Sequence, residues 1–259
     1  MTAPLATVDA DAWFPFRRPA PVAPLQLFCL PFAGGGASRF LPLARMLEPA
    51  AEVLPVQFPG RENRMEEPAY PEAERLVGSL AAAVTSLVDR PYAVLGYSLG
   101  ALYGFELVLR LQAEDAPTPS ALFAVAAPAP QHRGSEPISR LPDAALIKLV
   151  QAEQSIPQSL LDDPELLAVP LAALRTDLSM WEHFRHRTDT RLNCPIFVYT
   201  GRDDRSLSRV QKIGWRERTA VATRFRQFDG GHFFGVDEPA PLAAALRTDL
   251  DQYVRGAGR

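Results

Sequence analysis

The feature that most constrains this chain is five residues long: Gly96-Tyr97-Ser98-Leu99-Gly100. An apolar run, Tyr92–Leu95, leads into it, and the helix-forming stretch ALYGFELVLRLQ follows at once. A serine set between strand and helix, with glycine two positions away on either side, is the sequence form of a sharp turn that lifts a hydroxyl clear of a sheet. Such a turn brings backbone against backbone, which is why the flanking positions must be small. The helix that follows aims its unpaired N–H groups and positive dipole end at the serine.

The remaining strands follow from short apolar runs closed by turn residues: Leu25–Leu30, Glu52–Phe58, Ala121–Ala127, Pro195–Thr200 and Thr223–Phe228. Helical spacing separates them, in Pro71–Val88 with Leu76, Leu80, Val84 and Leu87, and in Glu238–Val254. Ser38 is placed to cap a helix running to about Leu47. Alternating strands and helices imply a mostly parallel central sheet covered on both faces. Residues 128–190 depart from this rhythm. Helical patterns recur there, in Pro142–Ala152 and Asp163–Phe184, with no strand between them. An insertion at that point is expected to form a helical lid. Met180, Trp181 and Phe184 fall at helical spacing and would line a substrate chamber beneath it; Phe32 and Tyr97 are candidates for the same wall. The alternative is that these helices only thicken the sheet cover.

With 259 residues, one large α/β domain at 25–259 accounts for the chain better than two. Residues 1–24, rich in Pro and Ala with Trp13, Phe14 and Phe16 embedded, read as an extended arm. Charged residues make up 22% and net charge is −3, so no electrostatic footprint for nucleic acid or an anionic membrane is present. No apolar run approaches the ~20 residues of a membrane span, and no signal-peptide pattern opens the chain. Cys29, in an apolar strand, and Cys194 read as two reduced thiols. A cytoplasmic, monomeric protein is expected.

Three further stretches supply chemistry. Leu30-Pro31-Phe32-Ala33-Gly34-Gly35-Gly36 follows an early strand, and no G-K-[ST] follows to make it a phosphate loop. Its Ala33 N–H, with that of Leu99, is expected to form an oxyanion hole. His232, in Gly230-Gly231-His232-Phe233-Phe234, stands between the last strand and the last helix, where a base must return to reach Ser98. Asp203 and Asp204 follow a strand between the serine and the histidine, and only one of the two can point at His232. The order Ser, Asp, His is that of the α/β-hydrolase fold. His183 and His186 sit three apart, but no second ligand motif accompanies them, so no metal site is expected.

These residues resemble a known family, the external or type II thioesterases that accompany polyketide synthases and nonribosomal peptide synthetases. The matching stretches are LFCLPFAGGGAS at 27–38, VQFPGRENR at 56–64, LGYSLGALYGFEL at 95–107, DDPELLAVPLAALRTDLSMWEHFRH at 162–186, GRDD at 201–204 and FDGGHFF at 228–234. The resemblance implies Ser98 as nucleophile, His232 as base and Asp204, the aspartate of G-x-x-D, as the orienting acid. It implies hydrolysis of acyl thioesters carried on the phosphopantetheine arm of acyl or peptidyl carrier proteins, with no bound cofactor or metal. Arg61, Arg64, Arg133 and Arg185 are candidate contacts to such a carrier. The sequence departs from the family at Tyr97, usually histidine, and at Ser155-Ile156-Pro157-Gln158, where the approach to the lid is usually glycine-rich. Rival readings are an acyltransferase on the same triad, a hydrolase of small carboxylesters, and a non-catalytic chaperone that binds carriers.

Overall fold

The computed structural model describes residues 9–132, 137–152, 164–184 and 189–256. Six strands form one parallel sheet: β1 (Gln26–Leu30), β2 (Glu52–Pro55), β3 (Tyr92–Tyr97), β4 (Leu122–Val125), β5 (Ile196–Gly201) and β6 (Thr223–Phe228), in the order β2-β1-β3-β4-β5-β6. Strands β1–β5, including edge strand β2, are buried on every residue, as their largely apolar sequences require. Edge strand β6 is exposed along most of its length, and there charged residues interrupt the apolar ones.

Side chains alternate between the two faces of the sheet. Phe28, Leu30, Val94, Leu122, Ala124, Ile196 and Val198 share one apolar cluster with α3 (Ala73–Leu87) and α4 (Leu99–Ala113). Leu27, Cys29, Ala93, Leu95, Phe123, Val125, Phe197 and Tyr199 share the other with α2 (Leu41–Leu47) and the last helix, α7 (Pro239–Gly256). A 3-10 turn, Ala37–Phe40, precedes α2, and the Ser38 hydroxyl donates to Glu62 instead of capping the helix.

The arm is anchored to this body. Its short helix α1 (Ala10–Trp13) is capped by Asp9, and Trp13 and Phe14 are buried. Trp13 stacks on Tyr70 and meets the edge of Phe58, while Phe14 meets Phe28. Between β4 and β5 lie α5 (Asp143–Ala152) and α6 (Pro164–His183), with no strand among the described residues there. No helix of the described residues is long and apolar enough to cross a membrane.

Because every strand runs the same way, the turns after β1, β3, β5 and β6 emerge on one rim of the sheet. Leu30 is level with Gly96 across β1–β3, so the glycine-rich turn begins beside the serine turn. Gly201 is level with Phe228 across β5–β6, which brings the aspartate and histidine loops together on the far side of β4.

Candidate active site

Ser98 sits at the head of α4 with φ 51° and ψ −118°, a conformation that costs a non-glycine residue about 1–3 kcal/mol. The surroundings hold it there. Ser98 N donates to Val125 O of β4 at 2.7 Å. A Cβ on Gly96 would fall 2.2 Å from Gly100 O, and one on Gly100 would fall 2.3 Å from Leu30 O. The two glycines are therefore fixed by close backbone approach, and the second seats the start of α4 on the end of β1.

His232 Nε2 lies 3.0 Å from Ser98 Oγ, and His232 Nδ1 lies 3.0 Å from Asp204 Oδ2. A carboxylate only accepts, so Nδ1 carries the proton of the neutral ring and Nε2 accepts from the serine hydroxyl. Asp204 is buried and the imidazole is 10% exposed, which leaves the pair dry but reachable. Burial alone would raise the Asp204 carboxyl, but hydrogen bonds from His232 and Ser206 outweigh it and hold the group below its ordinary value. Asp203 is exposed, and its N–H donates to Gly230 O, tying the acid loop to the histidine loop.

Ser206 was not singled out by sequence reasoning. Its N–H and hydroxyl both donate to Asp204 Oδ1, at 2.9 and 2.6 Å, and its oxygen lies 3.2 Å from His232 Nδ1. The available signal was Asp-x-Ser, the pattern of a local turn in which a carboxylate accepts the N–H two residues on. Leu99 N, as the first helical N–H, has no carbonyl one turn behind it. In the glycine-rich turn, Gly34 N is taken by Asp177 and Gly35 N by Phe32 O, so neither of these is free to serve as the second donor, and the candidate remains Ala33 N, which begins the turn beside the end of β1.

Several expectations need correction. Tyr97 and Phe32 do not line a chamber. Tyr97 points to the opposite face from the α4 helix, is fully buried, and lies parallel to Phe233 at 5.9 Å. Phe32 meets the edges of both rings. Together they form a wedge under the histidine loop. The Tyr97 hydroxyl donates to His232 O at 2.7 Å and accepts from Gly235 N at 3.3 Å. Met180, Trp181 and Phe184 are buried in the cluster around α4, with Trp181 edge-on to Tyr103. Met180 and Phe184 also border a groove of about 510 Å³ between α6 and residues 69–74, whose walls do not include Ser98. Leu167, Leu171 and Leu174 of α6 cluster with Leu146 and pack on Ala33, which also borders the cluster that holds Leu99, Met180, Trp181 and Phe184.

Arg61 and Arg64 are not surface contacts. Arg61 is buried in a two-pronged ion pair with Asp177, and Arg64 is buried beside Glu67 with its guanidinium over Trp13. Arg133, Arg185 and His186 lie outside the described residues. His183 is exposed, bonded to Ser179 O, and no cluster of three metal-ligating side chains occurs among the described residues. Both cysteines are free and buried, and burial pushes both thiols up.

Tyr97→Phe is expected to leave the Gly235 N–H and the His232 carbonyl without their buried partner. The cost is about 1–3 kcal/mol. A urea unfolding series should show a lower midpoint at unchanged m-value; an unchanged midpoint would show that the hydroxyl holds nothing.

The model of the Thioesterase domain family matches residues 25–250. The chain belongs to the thioesterase family. It is 32% identical over 227 residues to the gramicidin S biosynthesis protein GrsT of Aneurinibacillus migulanus, covering 87% of this chain and 89% of that protein. Among solved structures it is similar to the type II thioesterase BorB from the borrelidin biosynthetic cluster, at 33% identity and TM-score 0.81, over 90% of this chain and 95% of that one. It is likewise similar to the RedJ thioesterase from the prodiginine pathway of Streptomyces coelicolor, at 30% identity and TM-score 0.83, over 93% and 100%. This thioesterase thus carries the α/β-hydrolase type of fold that its sequence implies.

Proposed function

We propose that this thioesterase is an editing, type II enzyme that hydrolyses acyl groups from the phosphopantetheine arm of carrier proteins in a polyketide or nonribosomal peptide pathway. The observation that carries the chemistry is the unbroken hydrogen-bonded line from Asp204 through His232 to Ser98. His232 Nε2 takes the Ser98 proton as Oγ attacks the thioester carbonyl. The N–H groups of Ala33 and Leu99 hold the oxyanion. The C–S bond then breaks, His232 returns the proton to the leaving thiolate, and a water activated by the same imidazole releases the acid from acyl-Ser98. Mass spectrometry of the products, free acid against transferred acyl, separates hydrolysis from acyl transfer.

The carrier is the partner that the relatives support, since they belong to biosynthetic clusters. With Arg61 and Arg64 buried and Arg202 paired with Asp229, the first exposed cations that follow Asp204 are Arg205 and Arg209. They are suited to steer an acidic carrier toward Ser98. Remote docking of this kind lowers the barrier at the thioester and speeds encounter. The test is kcat/KM for one acyl group on a carrier protein, on coenzyme A and on a short thiol. The carrier is expected to be preferred, and the preference is expected to shrink as salt rises. Equal values on all three would mean that the carrier is not recognised, and a small-ester hydrolase would then be the better reading.

A further inference from the structure

The turn that carries Ala33 is gripped from outside. Asp177, one helical turn beyond Leu174 on α6, is buried, and its Oδ2 accepts the Gly34 N–H at 2.8 Å. The same carboxylate receives both prongs of Arg61: Nη1 on Oδ2 and Nη2 on Oδ1, each at 2.7 Å. Arg61 Nη1 also donates to Gly35 O at 3.1 Å. The loop that bears Arg61 holds the next residues too: Gln57 Oε1 accepts from Ala37 N, and Glu62 accepts from Ser38 N. Gln57 in turn donates to Arg61 O. Leu174 presses against Gly34, where an added Cβ would come within 3.1 Å of its own. Three segments far apart in the chain, at 33–38, 57–62 and 174–177, thus meet at one ion pair.

We propose that Asp177 is a positioning residue for the reaction: through Gly34 it sets the Ala33 N–H, so that the oxyanion hole is complete only while the α6 helix of the insertion is seated. This rests on the reading of Ala33 as an oxyanion donor. A side-chain anchor is needed because the turn after β1 has no strand partner at residues 33–36 to fix it. The Asp177 bond fixes the Ala33–Gly34 peptide plane, and the Phe32–Ala33 plane that carries the Ala33 N–H is held by Gly35 N donating to Phe32 O at 2.9 Å, so the donor is set between two anchored planes of one turn. The arrangement also explains the arginine. A lone carboxylate beside the hole would repel the developing oxyanion, and the bidentate guanidinium neutralises it while leaving one oxygen lone pair for Gly34.

Asp177→Ala and Asp177→Asn test this, with an acyl ester of a short thiol as substrate so that carrier docking plays no part. Activity is normalised to sites titrated by a fluorophosphonate to completion, which removes any fraction that fails to fold. Per titrated site, Asp177→Ala is expected to lose kcat by about ten-fold to the 10²–10³-fold cost of deleting a donor outright, with KM little changed. A boronic acid that forms a tetrahedral adduct on Ser98 should lose affinity by a similar factor. Asp177→Asn, whose amide oxygen still accepts one N–H in nearly the same volume, should lose less, and it serves if the alanine variant does not fold. Wild-type kcat per titrated site and wild-type boronate affinity in either variant, whatever the melting temperature, would overturn the proposal. A wild-type enzyme that cleaves no thioester would instead sink the catalytic reading itself.

Discussion

Ser98→Ala is expected to keep the fold and lose thioester hydrolysis by several powers of ten, about 10³–10⁶-fold. The substitution removes only Oγ, whose one described partner is His232 Nε2. The backbone bond from Ser98 N to Val125 O and the glycine contacts that hold the turn do not depend on the hydroxyl. Alanine at φ 51° carries the same Cβ and so about the same strain as serine, and stability should be nearly unchanged while the nucleophile is gone. Residual rate would come from the two N–H donors and binding alone. A fluorophosphonate should label the native protein and spare the variant. Labelling that persists in Ser98→Ala would place the nucleophile elsewhere.

The second large effect separates two adjacent aspartates. Asp204→Asn is expected to cost turnover by ~10⁴, the size of the corresponding change in the handling of a serine protease triad, whereas Asp203→Asn should be near normal. At position 204 an amide would turn an N–H₂ or a weaker oxygen toward His232 Nδ1, and the imidazole would lose the partner that fixes its tautomer. Ser206 would still bond the side chain, so geometry alone would not rescue the rate. Asp203 faces solvent and contributes its backbone N–H, which asparagine keeps. Steady-state kcat of the two variants decides it, and a crippled Asp203→Asn beside a healthy Asp204→Asn would reverse the assignment. The acid side carries a stability counterpart. Because the native Asp204 carboxyl lies below its ordinary value, its ionised form stabilises the fold above the unfolded aspartate range. That contribution is lost as pH falls through the depressed native value.

Strands and their order along the chain were legible because burial on both faces writes continuous apolar runs, as in LQLFCL and PIFVYT, closed by Pro or Gly. Ser98 and His232 were legible because each sits where a strand must give way to a helix, and glycine marks the crowded backbone there. What the sequence hid was the direction of side chains. Tyr97 precedes the serine in a strand, so alternation sends it to the other face, under His232; adjacency in the motif suggested a chamber wall instead. Met180, Trp181 and Phe184 are apolar at helical spacing whether they face α4 or a chamber, and periodicity cannot say which neighbour they meet. Arg61 and Arg64 look like surface charge until a partner 116 residues away, Asp177, or a nearby Glu67 is seen to bury them. Ser206 is not legible because a serine two residues after an aspartate is an ordinary loop pattern, and only the fold brings it against His232.

The parallel sheet has a consequence for how activity is gained and lost. Ser98 and His232 are 134 residues apart in sequence, Arg61 and Asp177 are 116, and Gly34 and Asp177 are 143. Asp204 and His232 are only 28 residues apart, but Ser98 and the glycine-rich turn join them through contacts far longer than that, so closing the site requires long loops to be ordered first, an entropic cost that slows folding in proteins rich in distant contacts. Hydrolysis should therefore appear only at the final stage of refolding, after most helical signal has returned. A fragment ending before β6 should retain the serine turn yet have no base to use it, which makes catalytic competence a readout of whether the whole chain has been threaded together.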